Sequence, residues 1–229
     1  RQMCIRDRFR RSIMKNRLIE KISGKQEIAK LNLLCFPYAG AGASVYYRWK
    51  EYFGNKVMIY AIQLPGRENR ISEPMYASVD EIMPDLLEAV GEIVKEKFIL
   101  FGHSMGAKIA YELEKRLEQS GIYARHLIVS GSRPPHIPEP NPICNLPKRE
   151  FIRELTRFAG TPKEILGNEE MMNFFIPLLR ADFEMDEKYL RKNKVKLECS
   201  INAFCGENDT EATETDMQEW GEYLSLIHI

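Results

Sequence analysis

Five short apolar runs punctuate the chain: Leu31–Phe36, Val57–Gln63, Phe98–Phe101, His126–Ser130 and Cys199–Phe204. Each is followed by Gly, Pro or Ser, and runs of this length with breakers behind them read as buried parallel strands. The period changes between them. Val79–Lys97 places Val79, Ile82, Met83, Leu86, Leu87, Val90 and Val94 on one stripe, with Glu and Lys opposite, which predicts an amphipathic helix. Met105–Ser120 repeats the pattern and stops at Gly121, a natural C-terminal cap. Alternating strands and helices predict an α/β fold, a mostly parallel sheet with helices on both faces.

Between Arg133 and Lys194 the alternation stops. Pro134, Pro135, Pro138, Pro140 and Pro142 forbid regular structure, and helical patterns follow without strands at Lys148–Ala159 and Asn168–Leu190. The strand Cys199–Phe204 then returns to the sheet. Residues 134–191 are therefore read as a helical lid over the carboxyl ends of the strands rather than as a separate domain. There are no internal repeats.

Composition narrows the classes. The length of 229 residues suits one domain, and 44% hydrophobic with 29% charged residues is ordinary globular usage. A formal net charge of zero argues against a nucleic-acid partner. No apolar run approaches the ~18 residues of a membrane span. Five scattered cysteines without a C-x-x-C pair fit a reducing cytoplasm, with Cys35, Cys199 and Cys205 as small core residues. Residues 1–13 precede Met14-Lys15-Asn16, a natural start, and are read as a non-native extension; residues 224–229 are read in the same way. The domain is thus expected at 14–223.

The chemistry gathers around Gly102-His103-Ser104-Met105-Gly106. An apolar strand runs into this segment and a helix leaves it, which is the context that gives G-x-S-x-G its meaning. The glycines make room for a very tight turn, and Ser104 stands at its tip, at the positive end of a helix. His103 is too near in the chain to act as its base and is read as structural. An oxyanion hole needs two backbone N–H groups. Met105 offers one, and the loop Phe36-Pro37-Tyr38-Ala39-Gly40-Ala41-Gly42-Ala43-Ser44 offers the other, with Ser44 able to cap the next helix. A dinucleotide loop is the rival for Gly40-Ala41-Gly42, but no acidic residue ends the second strand. In the order Ser, Asp, His, the acid follows a late strand, and Asp209 sits just after Cys199–Phe204. Glu207 and Glu211 are competitors expected to be solvated.

Together these residues resemble the type II thioesterases of polyketide and nonribosomal peptide synthesis, within the α/β-hydrolase superfamily. The resemblance runs from Leu33 to Trp220. It includes Phe36-Pro37-Tyr38-Ala39-Gly40, Gln63-Leu64-Pro65-Gly66-Arg67, Glu73-Pro74, the segment Phe101–Gly106 and Ser130-Gly131-Ser132-Arg133-Pro134-Pro135. It continues through Gly160-Thr161-Pro162, Leu178-Leu179-Arg180-Ala181-Asp182-Phe183, Ala203-Phe204-Cys205-Gly206 and Trp220. It implies hydrolysis of acyl or aminoacyl groups misloaded on the phosphopantetheine thiol of carrier protein domains. Ser104 would be the nucleophile, Asp209 the triad acid, and the amides of Ala39 and Met105 the oxyanion hole. The enzyme would need no cofactor and no metal, and would work as a cytoplasmic monomer with carrier domains as partners.

One element of the resemblance has no match. The family's histidine follows a last strand in a Gly-Gly-His-like segment beyond the position of Trp220. His228 comes too soon after Asp209 and lacks the glycines, while His126 starts a core strand and His136 starts the lid. The sequence therefore reads as C-terminally truncated and impaired as an enzyme. The alternatives are a general serine carboxylesterase or lipase, and a non-catalytic module that binds carrier proteins.

Overall fold

The computed structural model of the chain describes residues 17–23, 28–158 and 166–225. Among them, β1 (Ile19–Ser23), β2 (Leu31–Phe36), β3 (Val57–Ile62), β4 (Phe98–His103), β5 (His126–Ser130) and β6 (Ser200–Phe204) form one sheet. Its order is β1-β3-β2-β4-β5-β6. All pairs are parallel except β1–β3, which is antiparallel. The five apolar runs thus become five adjoining parallel strands. Nothing in the apolar pattern announces β1, where Glu20, Lys21 and Ser23 break up two isoleucines. It forms because β3 leaves a free edge for it, with Ile19 opposite Ile62.

The two faces of β2 divide cleanly, as alternation requires. Leu34 and Phe36 pack with α2 (Val79–Val90) and α3 (Met105–Glu118) in the main core. Leu33 and Cys35 face Ala43 and Tyr46 on the other side. Ser78 caps α2 by accepting the Glu81 N–H at 3.2 Å. This helix ends at Val90 rather than Lys97; after Gly91 only a 3₁₀ turn, Ile93–Lys95, continues. Helix α3 ends as read. Gly121 has φ +76, its N–H bonds the Glu118 carbonyl at 3.0 Å, and Ile122 N–H bonds the Leu117 carbonyl at 3.0 Å. That pair of bonds needs a left-handed residue, which glycine supplies without strain.

The second face is covered over β2 and β3 by the 3₁₀ segment Ala43–Trp49 and the short α1 (Lys50–Phe53). Toward β4, β5 and β6 no helix covers it among the described residues. An apolar groove of about 320 Å³ runs there, lined by Trp49, Phe53, Ile99, Phe101, Ile128 and Phe204. Helices on both faces therefore hold fully for the first face and in part for the second.

Between β5 and β6 lie α4 (Lys148–Leu155), a 3₁₀ turn Thr156–Phe158 and α5 (Glu169–Lys188). The insertion has its own small core of Ile143, Phe151, Leu155, Met172, Leu179 and Phe183. Asn168 starts α5 by accepting the Met171 N–H at 3.0 Å. Gly160-Thr161-Pro162 lies outside the described residues.

After β6, α6 (Glu214–Gln218) opens with a capping box in which the Thr213 and Asp216 side chains satisfy each other's backbone. Trp220 is 1% exposed and donates its indole N–H to the Ser132 carbonyl at 2.8 Å. Leu224 forms a parallel bridge with Leu197, and Ser225 N–H bonds the Leu197 carbonyl at 3.1 Å, so these two residues pack onto the domain. Residues 1–13 and His228 lie outside the described residues. Cys35, Cys144, Cys199 and Cys205 are unpaired thiols. Among the described residues no helix is long and apolar enough to cross a membrane.

Candidate active site

The connection from β2 runs to β3 on one side, while β4 lies on the other. A parallel sheet opens a crevice at such a reversal, outside the carboxyl ends of its strands. Phe36 of β2 and Gly102 of β4 are paired there, so the loop after β2 and the turn after β4 must meet.

That turn is as tight as the glycines imply. Ser104 has φ 52 and ψ −123, a conformation that costs a non-glycine residue about 1–3 kcal/mol. Its N–H is held by the Ser130 carbonyl at 2.8 Å, and its carbonyl accepts the Ala107 N–H at 2.9 Å. A Cβ on Gly102 would lie 2.3 Å from the Gly106 carbonyl oxygen; one on Gly106 would lie 2.1 Å from the Phe36 carbonyl oxygen. The second glycine thus lets α3 start against the end of β2.

Helix α3 begins at Met105, so the Met105 amide belongs to the first turn, whose donors have no partner inside the helix. Across from it, Tyr38–Ala41 forms a turn closed by Ala41 N–H to the Tyr38 carbonyl at 3.0 Å, with Gly40 at φ +80. No acceptor among the described residues takes the Ala39 amide. Ser44 does not cap the helix as read. Gly42 is the capping residue, and the Ser44 hydroxyl, inside the first turn, donates to Glu68 at 2.5 Å.

Asp209 lies in the turn after β6. Its Oδ1 accepts the N–H groups of Glu211 at 2.8 Å and Ala212 at 3.0 Å, which leaves Oδ2 toward the crevice. Gly131 makes the space there: a Cβ would lie 2.9 Å from His103 Cε1 and 3.4 Å from Asp209 Oδ2. Glu211 is half-buried and paired with Arg157 at 3.3 Å, not solvated, whereas Glu207 is exposed.

His103 has its Nδ1 3.1 Å from Ser130 Oγ and its ring edge-on to Tyr38. Burial lowers its pKa, opposed by the charge of Asp209 and the bond to Ser130. His136 pairs with Tyr223 Oη at 3.0 Å, and His126 is exposed at the start of β5, the end of the strand far from the crevice. No described side chain hydrogen-bonds the Ser104 hydroxyl.

Ser104, Tyr38, Ala39, His103 and Asp209 share one chamber of about 470 Å³. The insertion supplies its apolar wall through Leu155, Phe158, Leu179 and Phe183. The cluster Glu114–Glu118–Cys199 has ligand atoms within 4.8 Å of one another. It sits near the far end of α3, roughly 15 Å from Ser104 by helical rise, and plays no part in the chamber.

Reading residues by type misses what holds this chamber together. Arg67, a mere turn residue in the sequence, is 4% exposed and grips Asp182 of α5 with both guanidinium nitrogens, at 2.7 and 2.8 Å. Asp182 also accepts the Gly40 N–H at 2.7 Å. Lys108 reaches from α3 to Asp186 at 3.0 Å. Both residues fall in segments that carry the family resemblance, but nothing in the sequence pairs Arg67 with Asp182.

Residues 31–226 match the thioesterase domain family. The chain is 41% identical over 196 residues to the gramicidin S biosynthesis protein GrsT of Aneurinibacillus migulanus, covering 85% of this chain and 77% of that one. It is 34% identical to the thioesterase PikA5 of Streptomyces venezuelae, covering 85% and 70%. The structure of RedJ, a thioesterase from the prodiginine biosynthetic pathway of Streptomyces coelicolor, superposes with a TM-score of 0.80 at 34% identity, over 88% of this chain and 80% of RedJ. With a serine elbow on a mostly parallel sheet and a match over most of its length, the chain belongs to the thioesterase domain family of α/β-hydrolase serine enzymes.

Proposed function

We propose that the chain is an editing thioesterase, which hydrolyses misloaded acyl or aminoacyl groups from the phosphopantetheine thiol of carrier domains. The observation that carries this reading is Ser104, held at φ 52 and facing a chamber walled by the insertion, in a chain whose relatives serve assembly-line pathways. The Ser104 oxygen attacks the thioester carbonyl carbon, and the amides of Ala39 and Met105 receive the charge that develops on the carbonyl oxygen. The carbon–sulfur bond then breaks, and the thiol leaves with a proton. Water cleaves the acyl-serine and restores the hydroxyl. Asp209, with Oδ1 anchored by two amides and Oδ2 facing the crevice, orients the histidine that moves these protons. The insertion acts as the lid. The enzyme works as a cytoplasmic monomer without a cofactor, and carrier domains are its partners.

The histidine itself is not among the described residues that touch Ser104. The rival reading is a module that binds carriers without turnover. Hydrolysis of an acetyl-carrier thioester, followed by mass spectrometry of the carrier, separates the two. In a protein that carries the histidine, we expect turnover that Ser104→Ala lowers by about 10³-fold or more. Retention of more than about a hundredth of the parent rate removes Ser104 from the nucleophile's place. His228→Ala is expected to leave turnover unchanged; a loss assigns the base to His228. Comparable rates on a simple ester such as p-nitrophenyl butyrate point to a general carboxylesterase.

A further inference from the structure

The loop that carries Ala39 has little regular structure of its own, yet side chains from elsewhere hold it at three backbone points. Asp182 accepts the Gly40 N–H at 2.7 Å. Arg67 donates to the Ala41 carbonyl at 3.0 Å. Gln63, 1% exposed, accepts the Ala43 N–H at 2.6 Å and donates to the Arg67 carbonyl at 3.2 Å. The first two holds are one device, because Arg67 and Asp182 are joined by two short bonds and both are almost wholly buried. Helix α5 also presses close: a Cβ on Gly40 would lie 2.7 Å from Leu179 Cδ2.

The bonds act on particular peptide planes. In the turn Tyr38–Ala41, the Tyr38 carbonyl faces the Ala41 N–H. In a trans peptide the Ala39 N–H points opposite to that carbonyl, away from the turn. The central plane, between Ala39 and Gly40, can face either way in such turns, and a positive φ at the third residue marks one choice. Gly40 has φ +80, and its N–H ends on Asp182. The carboxylate therefore selects the flip of that plane, and the guanidinium fixes the carboxylate.

From this geometry we infer that the Arg67–Asp182 pair is a positioning clamp for the oxyanion hole, coupling the seat of α5 to the place of the turn that carries the Ala39 amide. The inference rests on the reading of Ser104 and Ala39 given above. Neither residue touches the reacting atoms; both act through the loop. A lid helix that lifted off would release the Gly40 N–H and the hole together, so acyl transfer would be strongest with α5 seated.

A buried pair that loses one partner leaves a stranded charge and can unfold the protein, whereas loss of both is tolerated. The principal variant is therefore Arg67→Met/Asp182→Leu, with Arg67→Lys as the conservative partner that keeps charge and loses the fork. The substrate is acetyl-pantetheine thioester, and rates are normalised to reactive Ser104. We expect the double variant to melt within about 5 °C of the parent. Its kcat should fall about tenfold to a hundredfold, part of what a whole oxyanion donor contributes, with KM changed less than about twofold. Arg67→Lys should lie between. Arg180→Ala, which frees α5 from the Cys144 and Leu146 carbonyls but not from the loop, should lower the melting temperature and leave kcat unchanged. The Gly40 amide should exchange at least about tenfold faster in the double variant. A double variant with kcat within about twofold of the parent, or with Gly40 still protected, overturns the clamp. If the parent itself shows no turnover, the Gly40 and Ala39 amide signals decide the clamp alone: unchanged in the double variant, they overturn it.

Discussion

Ser104 and its two glycine neighbours show how little freedom one position can have. The motif was legible because its requirement is steric and local: a Cβ at Gly106 would sit inside the Phe36 carbonyl. Gly106→Ala should therefore destabilise the fold by about 3 kcal/mol, as overpacking against backbone does. Urea denaturation checks this, and an unchanged midpoint contradicts it. Glu114 makes the opposite point, since no local signal marks it. It is fully buried on α3 with one oxygen on the Ala124 N–H at 2.7 Å and the other without a partner. Burial pushes its pKa up to about 8, against the lowering effect of the Ala124 N–H. The folded state thus holds a proton that the unfolded chain has released above about 4.5. Stability linked to Glu114 is complete below that pH and is lost as pH rises through about 8. Glu114→Gln keeps an acceptor and removes the titration. It should raise the melting temperature at pH 9, by an amount equivalent to a few kcal/mol, on the order of 1.4 kcal/mol per pKa unit. At pH 4 it should change little. Thermal melts at both pH values test the sign, and an equal effect at the two would contradict it.

At the scale of elements, the insertion has two unequal parts. The sequence reads as a helical lid docked on the sheet. The structure ties α5 firmly down. Asp182 meets Arg67, Asp186 meets Lys108, the Tyr189 hydroxyl donates to Glu112 at 2.6 Å, and Arg191 bonds Asp80 at 2.6 Å. Helix α4 touches the rest chiefly through the insertion's own core of Phe151, Leu155 and Phe183. Opening of the chamber should therefore begin at α4 and leave α5 seated. Hydrogen exchange is expected to be faster in Lys148–Phe158 than in α5 facing Arg67, and slowest in Phe98–His103. Equal protection of α4 and β4 would remove the gate. The difference between α4 and α5 could not be read from periodicity, because both are amphipathic and the anchoring charges lie far apart in the chain.

For the whole molecule, the apolar runs and the breakers behind them determined five of the strands, the helices α2 and α3, and the place of the insertion. They could do so because burial on both faces of a parallel sheet demands unbroken apolar runs, and the elbow demands glycine at fixed spacing. The order of the strands was not in the runs. Only the folded sheet put β2 beside β4, and with them the Ala39 loop beside Ser104. Nor did the sequence reveal the antiparallel β1, whose pairing depends on an edge that exists only once β3 is in place. The contrast is sharpest at the chamber. Ser104 and Asp209 could be put forward from the chain because each stands directly behind a strand. The pairing of Arg67 with Asp182 could not, because a buried ion pair is defined by the meeting of two distant residues, and that meeting is decided by how α5 lies across the sheet. Local sterics and hydrophobic period are written along the chain; long-range polar pairing exists only when the chain has folded.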